Sequence, residues 1–452
     1  MTAPATDYDA AMTPPAPTRW HTGLTRTHWR VLTASFLGWI FDGYETYALV
    51  AVLPAALHSL LSPEQLKTPA IWAGTAIGAT LLGWGVGGLV GGTLADYLGR
   101  KRVMIASVLL YAALSGLTAL SPSFWALIAL RLTTGMAMGS EWSTGVAMVA
   151  ETWPDRARAK GAGFLQSGFG WGTLLAAVIW WLLSRWSPLG DQSWRLMFVV
   201  GAVPALFTLY IRRAMAESES WLRAVRERRW AATEAGGGVG SGRRPFTVTE
   251  IFREPESRRR VVLLFVLSLT STVGWYAIST WLPAHVQNLA AHDGMAHPDR
   301  WAAASGILYT AGAVAAYMSA GFVIDVIGRR RFLVLTYAGA LVLTPVTYFW
   351  VSSAQAILLV AAINGFFTLG LAYSWLAIYP AELFTPSVRS TAASIVFNGT
   401  RLIAWGFPIM AGSLIPRLGG IPWTAMTFGV IYVLGLIVPW WLPESKGKPL
   451  PE

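Results

Sequence analysis

The sequence contains no cysteine. That excludes a disulfide framework, a thiolate metal site and a cysteine nucleophile. Charge is also scarce: 13% of the 452 residues are Asp, Glu, Lys or Arg, about half the share of a soluble protein. The first 30 residues are polar and proline-rich and lack an apolar core with a small-residue cleavage site, so no cleaved signal peptide is expected. No Gly-x-x-x-x-Gly-Lys-[Ser/Thr] phosphate loop, nucleophile–base set or metal-ligand spacing occurs. Neither an ATP-driven pump nor an enzyme is expected, and no cofactor.

Apolar sequence is what the chain has in abundance, at 54% of residues. Long apolar stretches recur from Val31 to Leu442, each near the roughly 20 residues that cross a bilayer. The pattern predicts helices at about 31–57, 70–95, 102–121, 123–150, 158–184, 195–213, 260–288, 301–327, 332–352, 354–382, 389–415 and 421–442. The expected fold is an all-α membrane protein, twelve transmembrane helices in two six-helix bundles. A net charge of +11 could suggest nucleic acid, but its placement argues for topology instead. With the amino terminus inside, 27 of the 34 Lys and Arg residues share the inner side. Five (Lys67, Arg185, Arg195, Arg300, Arg417) fall outside, and Arg131 and Arg401 lie within helices. That bias follows the positive-inside rule. It predicts a multi-pass protein of the plasma (inner) membrane with both termini cytoplasmic, a lipid rather than a nucleic-acid partner, and a monomer.

A polar stretch, Ala214 to Arg258, separates six helices from six and holds the flexible run Gly236-Gly237-Gly238-Val239-Gly240. Expected boundaries are a tail over 1–30, bundles over 31–213 and 259–442, a central loop over 214–258, and a tail over 443–452. Each half repeats a motif. Gly92-x-x-x-Asp96-x-x-Gly99-Arg100-Lys101-Arg102 and Gly321-x-x-x-Asp325-x-x-Gly328-Arg329-Arg330-Arg331 stand 229 residues apart, and Glu151…Arg158 and Glu382…Arg389 stand 231 apart. Two motifs at nearly one offset indicate duplication. Their glycines let helices approach closely. Their charges can latch the halves together on the inner side, with Asp96, Arg100, Glu151, Arg158, Asp325, Arg329, Glu382 and Arg389 as candidates; setting topology alone is the plainer alternative.

The repeated loop resembles the signature of the major facilitator superfamily. Arg131-x-x-x-Gly135-x-x-x-Gly139 resembles another of its motifs. Glu217-Ser218-Glu219-Ser220-Trp221-Leu222 resembles a degenerate Pro-Glu-Ser-Pro-Arg-Trp-Leu, and Pro443-Glu444-Ser445-Lys446-Gly447 resembles Pro-Glu-Thr-Lys-Gly. The last two point to the branch with sugar porters and organic-ion transporters. The resemblance covers about residues 30 to 447 and implies alternating access around a central site between the halves.

Ionisable residues inside membrane helices are costly and are functional candidates. Asp42 and Glu45 lie three apart on one helical face, and Asp42 sits about 16 Å past Val31, near mid-membrane. An unpaired carboxylate there is a plausible proton carrier; a fixed ion pair is the alternative. Helices 1 and 4 are neighbours in the superfamily, which makes Glu45–Arg131 the favoured switchable pair and Asp42 a second titrating or substrate-side group. The reverse assignment stays open. Glu141 is a further pair member or an inner-side contact.

Arg401 shares a face with Asn398 and Trp405 and has almost no acid in its own half to pair with. A substrate carboxylate would fit its planar fork. Among the aromatic and amide residues of helices 7 and 10, Tyr276, Asn364 and Tyr373 are the preferred lining residues; His285 lies too near the outer end. Asp42-Gly43-Tyr44-Glu45 resembles the Asp-Gly-x-Asp element of aromatic-acid:proton symporters, with Glu for the last Asp, and Trp39-x-x-Asp42 resembles the monocarboxylate:proton symporters. These resemblances imply symport of a small organic acid anion with protons, the proton gradient being the energy source. Sugar porters share several motifs but usually carry paired glutamines in helix 7. Here Ser268 to Pro283 has no Gln or Asn. A sugar or polyol porter is the first alternative, and a non-transporting receptor of the same fold is the second.

Overall fold

The computed structural model describes residues 19–204, 206–207, 210, 216–227 and 246–451; the glycine-rich run at 236–240 lies outside them. The described chain is helical throughout. The first half holds α1 (Arg26–Leu60), α2 (Pro69–Leu98), α3 (Arg100–Thr118), α4 (Phe124–Thr152), α5 (Asp155–Trp186) and α6 (Arg195–Val200). The second holds α7 (Pro255–His292), α8 (Pro298–Ile327), α9 (Arg329–Trp350), α10 (Ala354–Leu383), α11 (389–418, in three segments) and α12 (Ile421–Trp441). Among the described residues, nine helices are long and apolar enough to cross a membrane. Long α4 is not one of them, because Arg131, Glu141 and other polar groups dilute its apolar content. α11 falls short because it is broken.

Local chemistry sets the helix ends. Ser123 caps α4 by accepting from Ala126 N–H at 3.3 Å, and Ser353 caps α10 through Ala356 N–H at 3.4 Å. The turns between α2 and α3 and between α8 and α9 use Gly99 and Gly328, at φ +99° and +88°, a region glycine enters freely. A Cβ at either glycine would also strike a carboxylate, Glu217 at 2.3 Å or Glu444 at 2.9 Å.

Those turns and their arginines mark one end of the bundle, the basic end. The two halves close on each other there. Small residues permit the contact: on α2 a Cβ at Gly88 or Gly92 would meet Asn398 or Ser394 of α11 at 2.3 or 2.4 Å. On the second seam, Gly321 of α8 lies against the backbone of Ala159 in α5, and Gly163 against that of Tyr317. Further along α2, a Cβ on Gly74 or Gly78 meets nothing within 4 Å. The α2 seam is therefore shut at the basic end and clear toward the far end.

Candidate functional site

At mid-depth in the first half, α1 and α4 are joined by a buried ion pair. Arg131 Nη1 lies 3.0 Å from Glu45 Oε2, with both side chains 1% exposed. Arg131 Nη2 donates to Thr118 at 2.8 Å and Thr134 at 3.0 Å, and its guanidinium lies 4.7 Å from the Phe198 ring centroid. Glu45 Oε1 accepts from Ser115. The pair favoured from the sequence thus forms; among the described residues Arg131 Nε alone of its guanidinium nitrogens is left without a partner. Asp42, one turn nearer the basic end, differs. It is 0% exposed, as is Glu141 on α4. The two carboxyls interact directly, yet none of their four oxygens meets a donor among the described residues.

At the same depth in the second half, α11 breaks over 398–400, where Gly399 N–H reaches back five residues to the Ser394 carbonyl. Arg401 starts the next segment and is 6% exposed. Its Nη1 donates to the Phe397 carbonyl at 2.8 Å, its Nε has no partner, and no described carboxylate lies within ion-pair distance. Instead its guanidinium sits 3.9 Å from the Phe397 ring centroid and 4.4 Å from that of Trp84. Such cation–π contacts are worth about 0.5–2 kcal/mol each, well short of replacing an anion. Phe397 stacks in turn on Trp142 of the first half, at 3.7 Å and 24°. Trp39 stands 6.0 Å from Phe397 and 6.1 Å from Trp84, and Tyr373 and Trp275 continue the aromatic wall on the other side.

Tyr373 reaches this layer with its ring 6.4 Å from Phe397, and Tyr276 stands beside Trp275 at 4.6 Å. The two asparagines and Trp405 do not reach it. Asn398 turns into the seam, donating to the Gly139 carbonyl at 3.2 Å and Ser394 at 2.9 Å. Asn364 belongs to a polar knot within the second half, bonded to Thr347 and Thr368 at 2.7 and 2.8 Å. The break in α11 removes the shared face with Trp405, which is 44% exposed. Sequence reasoning missed Gln166, which ties Trp142 to α5 at 2.9 Å, and the aromatic layer of Trp39, Trp84, Trp142 and Phe397. A buried Gln flanked by small residues was the available signal for the first; scattered tryptophans carried none for the second.

At the basic end the duplicated motifs form two related clusters. Arg100 Nη2 bridges Asp96 (3.0 Å) and Glu151 (3.1 Å); Arg329 bridges Asp325 (3.3 Å) and Glu382 (2.5 Å). Glu217 accepts from the backbone N–H of Arg100 at 2.9 Å, and Glu444 does the same for Arg329 at 3.0 Å. Contacts across the seam also come in pairs. Asp96 accepts from Thr391 N–H and Oγ1 at 2.8 and 2.7 Å, and Asp325 takes Lys160 Nζ at 2.5 Å. One pair is broken. Arg389 crosses to Glu151 at 3.0 Å, whereas Arg158 turns to Asp155 and to the Ala150 carbonyl at 2.9 Å. Trp20 spans the second seam, its ring 6.3 Å from Phe164 and 5.7 Å from Phe322.

The chain resembles known proteins along nearly its whole length. It is 30% identical over 424 residues to a putative metabolite transport protein of Haemophilus influenzae, covering 93% of this chain and 98% of that one. It is 28% identical to a probable 4-methylmuconolactone transporter of Cupriavidus pinatubonensis (93% and 91% covered) and 27% identical to a cis,cis-muconate transport protein of Acinetobacter baylyi (92% and 94%). Its fold matches the solved structure of a major facilitator superfamily proton:xylose symporter bound to 6-bromo-6-deoxy-D-glucose, with TM-score 0.73 and 18% identity over 94% of this chain and 98% of that one. The Sugar (and other) transporter family profile spans residues 31–452. The chain therefore belongs to that family of the major facilitator superfamily, as a multi-pass membrane transporter and not an enzyme.

Proposed function

We propose that the protein is a proton-coupled symporter of a small planar organic acid, aromatic or conjugated, working by alternating access. Arg401 carries the proposal. It is a buried guanidinium with no acid partner, set between the faces of Trp84 and Phe397. An arginine in a membrane interior needs an anion, and its fork fits a carboxylate. The rings beside it favour a flat π-system joined to that carboxylate. Tyr276 and Tyr373 complete the substrate layer. The names of two relatives, a muconate and a methylmuconolactone transporter, fit an unsaturated acid. On the sugar alternative, Gln166 has its amide oxygen taken up by Trp142, and a neutral polyol would leave the charge of Arg401 uncompensated.

The basic end faces the cytoplasm by the positive-inside rule. The halves then meet on the inner side, and the end of α2 that carries Gly74 and Gly78 faces outward. The clusters of Asp96, Arg100, Glu151, Asp325, Arg329, Glu382 and Arg389, with Lys160, act as the inner latch. The transported acid moves with a proton down the proton gradient.

A proteoliposome panel of benzoate-like, muconate-like and lactate-like acids and hexoses, with and without a pH gradient, tests the reading. Acids with a conjugated or aromatic body should compete best. Arg401→Ala should weaken their binding by about 2–5 kcal/mol, roughly thirtyfold or more, and Arg401→Lys should fall between. Uptake of hexoses with no carboxylate uptake would sink the substrate class.

A further inference from the structure

Burying one ionised carboxylate without donors is costly, and burying two side by side is costlier. Asp42 and Glu141 present that arrangement: both are 0% exposed, they interact directly, and neither finds a donor among the described residues. α1 is shaped to admit the second carboxyl. Gly38, one turn before Asp42, lies under Glu141, whose Oε1 would stand 2.1 Å from a Cβ there. The other groups around the pair are few. Glu45 on α1 is engaged by Arg131. Tyr111 approaches from α3 with its hydroxyl unpartnered, and Arg401 from α11. α2 and α5 bring uncharged Trp84 and Phe169 to the same layer.

We propose that Asp42 and Glu141 share one proton across the α1–α4 contact and are the proton-carrying site of the transport cycle. A shared proton removes one of two adjacent charges and supplies the donor that the pair otherwise lacks. Such a pair titrates as a unit. Glu45 is already engaged by Arg131 and Ser115, and Glu45–Arg131 acts as a strut between α1 and α4.

This inference rests on the symport reading, and two measurements on the full-length protein separate their failures. Infrared difference spectra between acid and alkaline pH, taken in detergent, read the protonated carboxyl directly. The C=O band present at neutral pH should be lost or shifted in Asp42→Asn and in Glu141→Gln alike. No such band, or a change in only one variant, overturns the shared proton whether or not transport is proton-coupled. In proteoliposomes with an inside-alkaline gradient of one pH unit, the initial rate of benzoate uptake should be about tenfold that of protein-free liposomes, through which neutral benzoic acid itself crosses. The ratio should collapse to about one in either variant, and the double variant should be no worse than the singles. Gradient-driven uptake above the protein-free rate in wild type that persists in Glu141→Gln overturns the pair as carrier and leaves symport standing. No such uptake in wild type overturns symport and the carrier role together, while the infrared result still decides the shared proton.

Discussion

Two seams hold the halves together at the basic end, and the same duplicated motif makes both. On the α2–α11 seam, Asp96 takes the backbone N–H and hydroxyl of Thr391, and Glu151 takes Arg389. Asp96, Glu151 and Arg389 are at most 1% exposed. On the α5–α8 seam the equivalent of Asp96 is Asp325, and the residue standing where Thr391 stands is Lys160. Their side chains are 24% and 10% exposed, and Arg158 makes no matching ion pair to Glu382. The first seam is the more buried and includes short, directional bonds to the Thr391 backbone and hydroxyl; the second is more exposed and rests on a lysine ammonium. Water screens the second pair more than the first. Duplication supplied the acids at both seams, and divergence of their partners decided which seam bears the load.

Glu151→Gln should do the most damage to this asymmetry. It strips the acid partner from buried Arg389 and one of two from buried Arg100, and removing one partner of a buried pair costs about 3–5 kcal/mol. The chain has no cysteine, so spin labels on Leu98→Cys and Val326→Cys, both exposed sites in different halves, report opening of the basic end without background. The label distance should lengthen in a large fraction of molecules. Asp96→Asn should act in the same direction with less force. It keeps an acceptor for Thr391 but loses the charge facing Arg100, a change of about 1.5–3 kcal/mol. Lys160→Met on the more exposed seam should cost about 1 kcal/mol or less and barely move the distance. If Lys160→Met opens the protein as far as Glu151→Gln does, the ranking of the seams is wrong.

Some of this was readable in the sequence and some was not. The 229-residue offset located both clusters, and the rarity of mid-membrane charge led to Glu45, Arg131 and Arg401. The second repeat, Glu151…Arg158 and Glu382…Arg389, gave the charged residues of the latch but not their partners. The structure gives Arg389 to Glu151 and Arg329 to Glu382, partnerships that exist only once separate helices have packed. Asn398 does not join the layer of Arg401, for a similar reason. Helical periodicity put it beside Arg401 and Trp405, but the chain loosens at Gly399 and turns Asn398 into the seam. Glu141 was undervalued because its meaning depends on Gly38 of another helix.

The smallest expected effect tests whether the duplication is intact where the seams are not involved. Glu217 and Glu444 cap α3 and α9 in the same way, each accepting from the first two backbone N–H groups of its helix. Glu217→Gln and Glu444→Gln should therefore lower the melting temperature by similar small amounts at pH 7, in keeping with lost caps worth about 0.5–2 kcal/mol. For Glu444 the pH dependence is fixed by its surroundings. Partial burial pushes its carboxyl up, but the N–H groups of Arg329, Arg330 and Lys446 and the charge of Arg329 outweigh that and hold it below the ordinary value of 4.5. A carboxyl that is more acidic folded than unfolded stabilises the fold above its unfolded pKa and loses that contribution as pH falls through the folded one. The gap in melting temperature between wild type and Glu444→Gln should accordingly hold from pH 7 to about 5 and narrow below about 4. A gap that stays constant down to pH 3 would mean that the cap acts through shape and hydrogen bonding alone, and that the charge of Glu444 is incidental to holding α9.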